Sequence, residues 1–467
     1  MNRIVPLILA VALFMEQMDS TVIATALPAI AADLEVGPIT LKLALTSYMV
    51  ALAIFIPISG WMADRFGAKT IFRMAILVFI IGSILCAVSG TLVQFVLSRF
   101  LQGMGGAMMT PVGRLLLLRT TKRSDLVSAM ALLTIPALIG PLTGPPIGGF
   151  ITTYFTWHWI FIINVPIGFL GIWLSGIYLP KIDTVLPPPI DWLGFFLIAM
   201  AAAGTVFGLS VVSLPALPPA FGISATAVGI LCGFLYIGHQ RRHPSPILSL
   251  SLFRNEAFRA ATSSGTIFRV STGAIPFLMP LMLQLAFGLN PFQSGMITFA
   301  GALGALMVKF VARRVFAATG FKVTLIAAGV LGAVTTSVNG FFTPETSHAL
   351  IIAFLVMSGL CRSFFFTGSN ALSYSEIDDA QASQATSIAS VLQQVSLALG
   401  VAFAAFILEA SSVLSGSHLQ LADFHLAFFI VAGVSLFAVV PLLGLRRDAG
   451  SAVSGHGRAA VETEAAQ

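Results

Sequence analysis

The chain has 467 residues, of which 57% are hydrophobic and only 9% charged, with a formal net charge of +6. Its mean hydropathy of +0.97 excludes a water-soluble domain or a disordered chain and marks an integral membrane protein. The basic excess follows membrane topology, because it falls in alternate loops, and so it is no nucleic-acid footprint.

Hydropathy predicts about fourteen helical spans, each long enough to cross ~30 Å of hydrocarbon at ~1.5 Å per residue. They run roughly over Ile4–Ile30, Leu41–Met62, Ile71–Val88, Leu92–Leu118, Leu126–Tyr154 and Trp159–Leu179. Next come Trp192–Val212, Phe221–Gly238, Ala260–Phe287, Gly295–Val311, Val323–Phe342, Ala349–Gly368, Ala382–Leu408 and Phe424–Leu445. The short connections leave no soluble core. Arg65, Lys69 and Arg73, then Lys122 and Arg123, then Arg241, Arg242, Arg254 and Arg259, then Arg313, Arg314 and Lys322 occupy alternate loops. The opposite loops hold essentially Lys42. This asymmetry places both termini in the cytoplasm.

The first span contains Glu16 and Asp19, three residues apart and therefore on one helical face. A carboxylate at such depth costs roughly 2.5–3.5 kcal/mol and marks an ion or proton pathway by default. Arg3 followed by an apolar run imitates a signal peptide, but Glu16, Gln17 and Asp19 make it a poor one. Gly60, Asp64, Arg65, Gly67 and Lys69 close the second span; the glycines suit close packing and a tight turn. Asp64 suits a helix N-terminus; a plain topology charge is the alternative.

Span four carries Arg99 and Gln102 in its outer half. Counting residues from each span's start brings Arg99 and Asp19 within one or two turns in depth, so they are expected to pair. An arginine that only braces carbonyls is the alternative. In span five, Gly140, Gly144 and Gly148 recur every four positions beside Pro141 and Pro145, and Gly149 follows. They form a smooth face on a bent helix, open to close contact. Cys86, Cys232 and Cys361 lie in apolar runs with neither disulfide nor metal spacing.

The spans group as six, two and six. The expected division is 1–180, an inserted helix pair at 181–245, 246–448, and a disordered tail at 449–467. Phe66-Gly67-Ala68-Lys69 and Thr319-Gly320-Phe321-Lys322 echo one another, which supports two related halves. The second half buries Arg269, Lys309 and Arg362 without a spanning acid. Lys309 can snorkel. Arg269 is expected to bond carbonyls with Gln393 or Gln394, to meet an anionic substrate group, or to face a water-filled cavity.

Several segments together resemble one family over nearly the whole length. Gly60-Trp61-Met62-Ala63-Asp64-Arg65-Phe66-Gly67-Ala68-Lys69 resembles the loop signature of the major facilitator superfamily. Leu97 to Ala107 resembles its fourth-helix signature, with an embedded arginine. Gly140 to Gly149 is similar to its antiporter motif, which marks exporters. Asp19 to Pro28, Trp157 to Gly168 and Asp191-Trp192-Leu193-Gly194 are similar to the fourteen-span drug:H+ antiporter-2 family. His158 stands where that pattern has Arg, and Glu16 is an additional acid. The resemblance implies an all-α major facilitator fold: two six-helix bundles plus two inserted helices. It implies proton-driven export of small amphipathic drugs or metabolites, with Asp19 and Arg99 coupling the proton; Glu16, one helical turn from Asp19, is expected to tune or share that site. The expected substrate-cavity residues are Gln102, Arg269, Arg362, Gln393 and Gln394. The other partners are protons and the lipid bilayer. No enzyme activity, metal or cofactor is expected. A Walker-type Gly-x-x-x-x-Gly-Lys is missing from the sequence, so ATP is not expected. A monomer in the cytoplasmic membrane is expected. The alternatives are a dedicated exporter of one anionic metabolite, suggested by Arg269 and Arg362, and a transport-dead sensor or scaffold. An intramembrane acid argues against the last.

Overall fold

The computed structural model describes residues 4–121, 126–180, 189–212, 214, 217–378, 381–415, 419–446 and 448–454. Among them every regular element is helical. The long helices are α1 (Ile4–Val22), α2 (Lys42–Phe66), α3 (Ala68–Ala87), α4 (Leu92–Thr120), α5 (Leu126–Tyr154), α6 (Asn164–Tyr178), α7 (Trp192–Val211) and α8 (Pro219–Gln240). They continue with α9 (Glu256–Leu281), α10 (Pro291–Val338), α11 (His348–Tyr374), α12 (Ala382–Ser415) and α13 (Leu421–Phe437). Eleven segments of the described residues are long and apolar enough to cross a membrane. The difference from the sequence expectation lies in three places. Pro291–Phe341 is one segment whose helix is broken inside by the non-helical Gly320. The helices α4 and α5, each 29 residues long, fall outside that count. The linker at 181–188 and the tail at 455–467 lie outside the described residues.

The chain divides into two compact units. The first comprises Met1–Ile247 and Leu283–Met296 and so takes in the inserted pair α7 and α8. The second comprises Leu248–Met282 and Ile297–Gln467. In the first unit α1 packs on α5 and α6, α2 on α4 and α7, and α3 on α4 and α6. In the second, α9 is the hub against α11, α12 and α13. Burial reflects these places. In the apolar window of Glu256–Ala286 78% of residues are buried, but only 17% in that of α8, whose Phe234 and Leu231 are exposed.

Lipid tails are as apolar as leucine, so burial alone does not drive these helices together; close contact and buried hydrogen bonds must do so. Serines in the second unit supply such bonds: Ser264 Oγ donates to Ala438 O (2.5 Å), Ser271 Oγ to Val431 O (2.9 Å) and Ser369 Oγ to Ala261 O (2.8 Å). Phe268 stacks on Phe365 at 3.9 Å. In the first unit the glycines of α5 are seated on α1. A methyl at Gly140 would come within 3.0 Å of Met18 N, and one at Gly144 or Gly148 would overlap Thr21 Oγ1 or Val22 O. Gly149 lies as tightly against Pro291 O.

The internal echo has a structural counterpart. Gly67 and Gly320 adopt φ of 89° and 72°, a region open to glycine and strained for other residues. Two positions later, Lys69 Nζ donates to Gly176 O (2.9 Å) and Leu179 O, and Lys322 Nζ to Leu443 O and Leu445 O (both 2.7 Å). Each lysine thus satisfies carbonyls at the end of a later helix, where a cation also meets the negative pole of the helix dipole. Gly60 corrects its expectation. It is exposed and a methyl there would meet nothing within 4 Å, so no close helix contact requires it. Its side of α2 faces outward from the unit.

The seat of Gly144 on α1 gives a direct check. Gly144→Leu should lower the melting temperature of the purified protein, because overpacking costs about 1–3 kcal/mol. Gly433→Leu, at a position with nothing within 4 Å, should leave it unchanged. Equal melting of both variants and the wild type would contradict the close contact.

Candidate functional site

Four helices bring their polar residues to one point in the first unit. Asp19 comes from α1, Ser83 from α3, Arg99 and Gln102 from α4, and Asn164 from the first turn of α6. All five are buried, and Asp19 is wholly inaccessible. Glycines allow the approach. A methyl at Gly82 of α3 would lie 2.6 Å from the Gln102 backbone, and one at Gly103 of α4 would lie 2.5 Å from Tyr48 O. Small residues around a polar residue therefore set the depth at which α2, α3 and α4 meet.

Three donors converge on the Asp19 carboxylate. Arg99 Nη1 donates to Oδ2 at 2.6 Å, while Gln102 Nε2 and Asn164 Nδ2 both donate to Oδ1 at 2.8 Å. Gln102 Nε2 also reaches Ser83 Oγ (2.7 Å), as does Asn164 Nδ2 (3.1 Å), and Gln102 Oε1 accepts from Arg99 Nη1 (2.5 Å). The guanidinium lies over the Tyr48 ring at 4.3 Å, a cation–π contact in a dry site. A buried ion pair survives only with such additional bonds, since the attraction must offset the desolvation of both charges. The pair is not a two-pronged fork. Nη1 serves both Asp19 and Gln102, and Nε has no partner among the described residues. A single-pronged contact is easier to break than a fork.

Glu16 sits one turn away on α1 with its own partners. Thr110 Oγ1 donates to its Oε2 at 2.6 Å, and Gln17 Nε2 to its Oε1 at 3.3 Å. A methyl at Gly106 would lie 3.0 Å from Tyr48 Oη and 3.4 Å from Glu16 Cγ, so Tyr48 and Glu16 both close on the glycine face of α4.

The remaining expected residues lie apart from this cluster. Asp64 pairs with Arg119 Nη2 at 2.7 Å, and both are partly exposed. Arg65 is exposed. Pro141 and Pro145 lie within α5 beside the glycine face. In the second unit Arg269 is buried. Its Nη2 donates to Asn370 Oδ1 at 3.0 Å, and its guanidinium lies 5.0 Å from the Phe366 ring centroid. That corrects the expected bond to Gln393 or Gln394. Asn370 on α11 is within reach of α9, whereas Gln393 is exposed and Gln394 half-buried on α12. Lys309 Nζ reaches Thr367 Oγ1 at 3.4 Å, and Arg362 is half-buried on α11. Ser83, Tyr48 and Asn164 were not anticipated as site residues. A serine and an asparagine inside apolar runs were the only available signal.

An all-helical chain with many apolar helices of bilayer length, and a charged cluster sealed among them, is a multi-pass membrane protein. The chain belongs to the Major Facilitator Superfamily, whose family model matches residues 9–253 and 261–464. It is therefore a transporter and not an enzyme. It is 37% identical over 400 residues to HsrA of Haemophilus influenzae, named a probable transport protein, covering 86% of each chain. It is 33% identical over 443 residues to MdtD of Escherichia coli (strain SMS-3-5 / SECEC), provisionally named a multidrug resistance protein, covering 93% of this chain and 94% of that one. The fold is similar to that of a solved D-xylose–proton symporter, with a TM-score of 0.70, 13% identity and coverage of 96% and 98%. It is also similar to a POT family transporter in complex with 5-aminolevulinic acid, with a TM-score of 0.71, 14% identity and coverage of 93% and 94%.

The ion pair makes a quantitative prediction. Arg99→Ala leaves a buried carboxylate unpaired and should destabilise the protein by about 3–5 kcal/mol. Adding Asp19→Asn should recover much of that loss. Thermal unfolding of the two singles and the double measures the coupling. Additive losses would contradict a direct pair.

Proposed function

We propose that this chain is a proton-coupled antiporter of the fourteen-span drug:H+ antiporter-2 type, exporting small amphipathic drugs or metabolites by alternating access. The observation that carries this reading is Asp19, a fully buried carboxylate tied to Arg99 by a single prong. A proton arriving at Asp19 removes the charge that holds the guanidinium and turns an acceptor into a donor. With the proton on Oδ2, the oxygen that faced Arg99, the guanidinium loses its acceptor, while Oδ1 goes on accepting from Gln102 and Asn164. The ring of bonds is thus the element whose arrangement protonation changes. Because α1 also carries the contacts of Gly140, Gly144 and Gly148, a shift of its polar face is transmitted to α5 through a joint with no slack.

Proton entry at about 100 mV supplies about 2.3 kcal/mol. That supports about fifty-fold accumulation of a neutral solute, since 1.4 kcal/mol is tenfold. Glu16 tunes the site from one turn away through Thr110 and Tyr48. The protein works as a monomer in the bacterial cytoplasmic membrane with both termini in the cytoplasm, as the alternation of basic loops supports. The name of the MdtD relative favours drug-like cargo. Arg269, buried with a neutral amide and an aromatic ring as its partners, favours a second reading, an exporter of one anionic metabolite.

Efflux from proteoliposomes with an imposed pH gradient, against a panel of cationic, neutral and anionic amphiphiles, tests both readings. The wild type should move at least one class, and Asp19→Asn should abolish gradient-driven movement while reconstituting normally. Gradient-driven efflux unchanged in Asp19→Asn would refute the coupling role. Arg269→Ala should lose anionic cargo first if the second reading holds, and should affect all classes alike if Arg269 only braces α9 on α11.

A further inference from the structure

Asp191, His239 and His243 form a cluster that neither the transport site nor the packing of the bundle uses. Asp191 precedes α7 and caps it, its Oδ1 accepting from Gly194 N at 2.8 Å. His239 belongs to the last turn of α8 and His243 follows one turn later, so the spacing of four sets both rings on one side. His239 Nε2 lies 2.8 Å from Asp191 Oδ1, and His243 Nε2 lies 4.0 Å from the same oxygen. One ligand atom from each residue falls within 4.8 Å of the others.

We infer that Asp191, His239 and His243 bind a divalent late transition-metal ion, of the zinc, cobalt or nickel class, which clips the inserted helix pair at its open end. Four observations support this. The donor set is two imidazoles and one carboxylate, the set that suits these ions over calcium or magnesium. Atoms bound to one tetrahedral Zn2+ stand about 3.3 Å apart, given bonds of about 2.0–2.1 Å. The two spacings from Asp191 Oδ1, 2.8 and 4.0 Å, bracket that value, and the imidazole nitrogens, within 4.8 Å of one another, close on the ion by side-chain rotation. Asp191 is 4% exposed, and its buried Oδ1 faces both imidazoles. The histidines are only partly buried, at 18% and 31% side-chain exposure, so an ion can reach them.

Coordination is chemically modest. Each imidazole binds through Nε2 and carries its proton on Nδ1, so the 2.8 Å hydrogen bond between His239 Nε2 and Asp191 Oδ1 is exchanged for a metal bond from each. For His243 this releases a weak 3.3 Å contact from Ser245 N–H. Asp191 supplies one negative charge, and Arg241 and Arg242 between the histidines are exposed. Three protein ligands leave a fourth position to water. Such an ion would join the start of α7 to the end of α8, which otherwise touch through glycines such as Gly204 and Gly229. Eight residues after His239 the first segment of the first unit ends, at Ile247. The ion would therefore fix the point where the chain leaves the inserted pair. This inference is independent of the transport reading.

The test uses full-length protein purified in detergent without a polyhistidine tag, loaded with Zn2+, passed through gel filtration and assayed for bound metal. The wild type should retain about one Zn2+ per chain, and Zn2+ should raise its melting temperature. His243→Gln, which leaves the Asp191 cap and the Asp191–His239 bond in place, should retain less than about a tenth as much and show no Zn2+-dependent melting shift. His239→Gln/His243→Gln should do the same. Metal-free melting of His243→Gln should match that of the wild type, so loss of zinc is not loss of fold. Wild-type protein that retains no Zn2+ and shows no melting shift would overturn the site. Equal Zn2+ retention in the wild type and His243→Gln would overturn it as well.

Discussion

Asp19 and Arg99 are charged groups in surroundings where charge is costly, and the architecture of the first unit follows from keeping them together. Each ion alone would cost several kcal/mol of desolvation there. A contact of 2.6 Å recovers part of that cost, and the amides of Gln102 and Asn164 must supply the rest. Four helices therefore meet at a fixed depth, and the glycines of α3 and α4 are what let the backbones come close enough. The polar cluster specifies the packing. In a bilayer, where apolar burial does little to choose between neighbours, such a cluster decides which helix lies where.

The same helix that carries Asp19 carries the seats for Gly140, Gly144 and Gly148. The charge site and the small-residue face are thus two sides of α1. A shift of α1 on its charged side meets a tight contact on the other, and the proposed proton coupling rests on that pairing. The second unit is built differently. Serine-to-carbonyl bonds and stacked phenylalanines hold α9 at its centre, and its buried arginine is satisfied by a neutral amide, Asn370, and an aromatic face.

Much of this was legible in the sequence because charge and glycine are conspicuous in an apolar chain. Depth counted along the spans brought Asp19 and Arg99 to the same level, and the period of four at Gly140, Gly144 and Gly148 announced a contact face. The short echo around Gly67 and Gly320 proved to be a shared turn with a shared lysine role. What sequence could not convey was the neutral half of the site. Ser83, Asn164 and Tyr48 sit among apolar residues without altering hydropathy, and their partners lie on helices distant in sequence. For Arg269 the sequence leaves three surroundings open, and its partner Asn370 is none of those it points to. Both α11 and α12 pack on α9, so only the direction of the Arg269 side chain, toward Asn370 on α11, decides between them. Gly60 misled because a glycine in a motif does not reveal which way its helix face points.

The role of Asp19 can be read most directly from its own carboxyl group. Infrared difference spectra of the reconstituted protein between acidic and alkaline media report the C=O stretch of buried acids that take up a proton. If Asp19 is the proton carrier, the wild type should show such a band. Asp19→Asn should remove it, and Glu16→Gln should leave it in place, shifted in its pH dependence. A band that persists unchanged in Asp19→Asn would contradict the assignment and move the proton to another group.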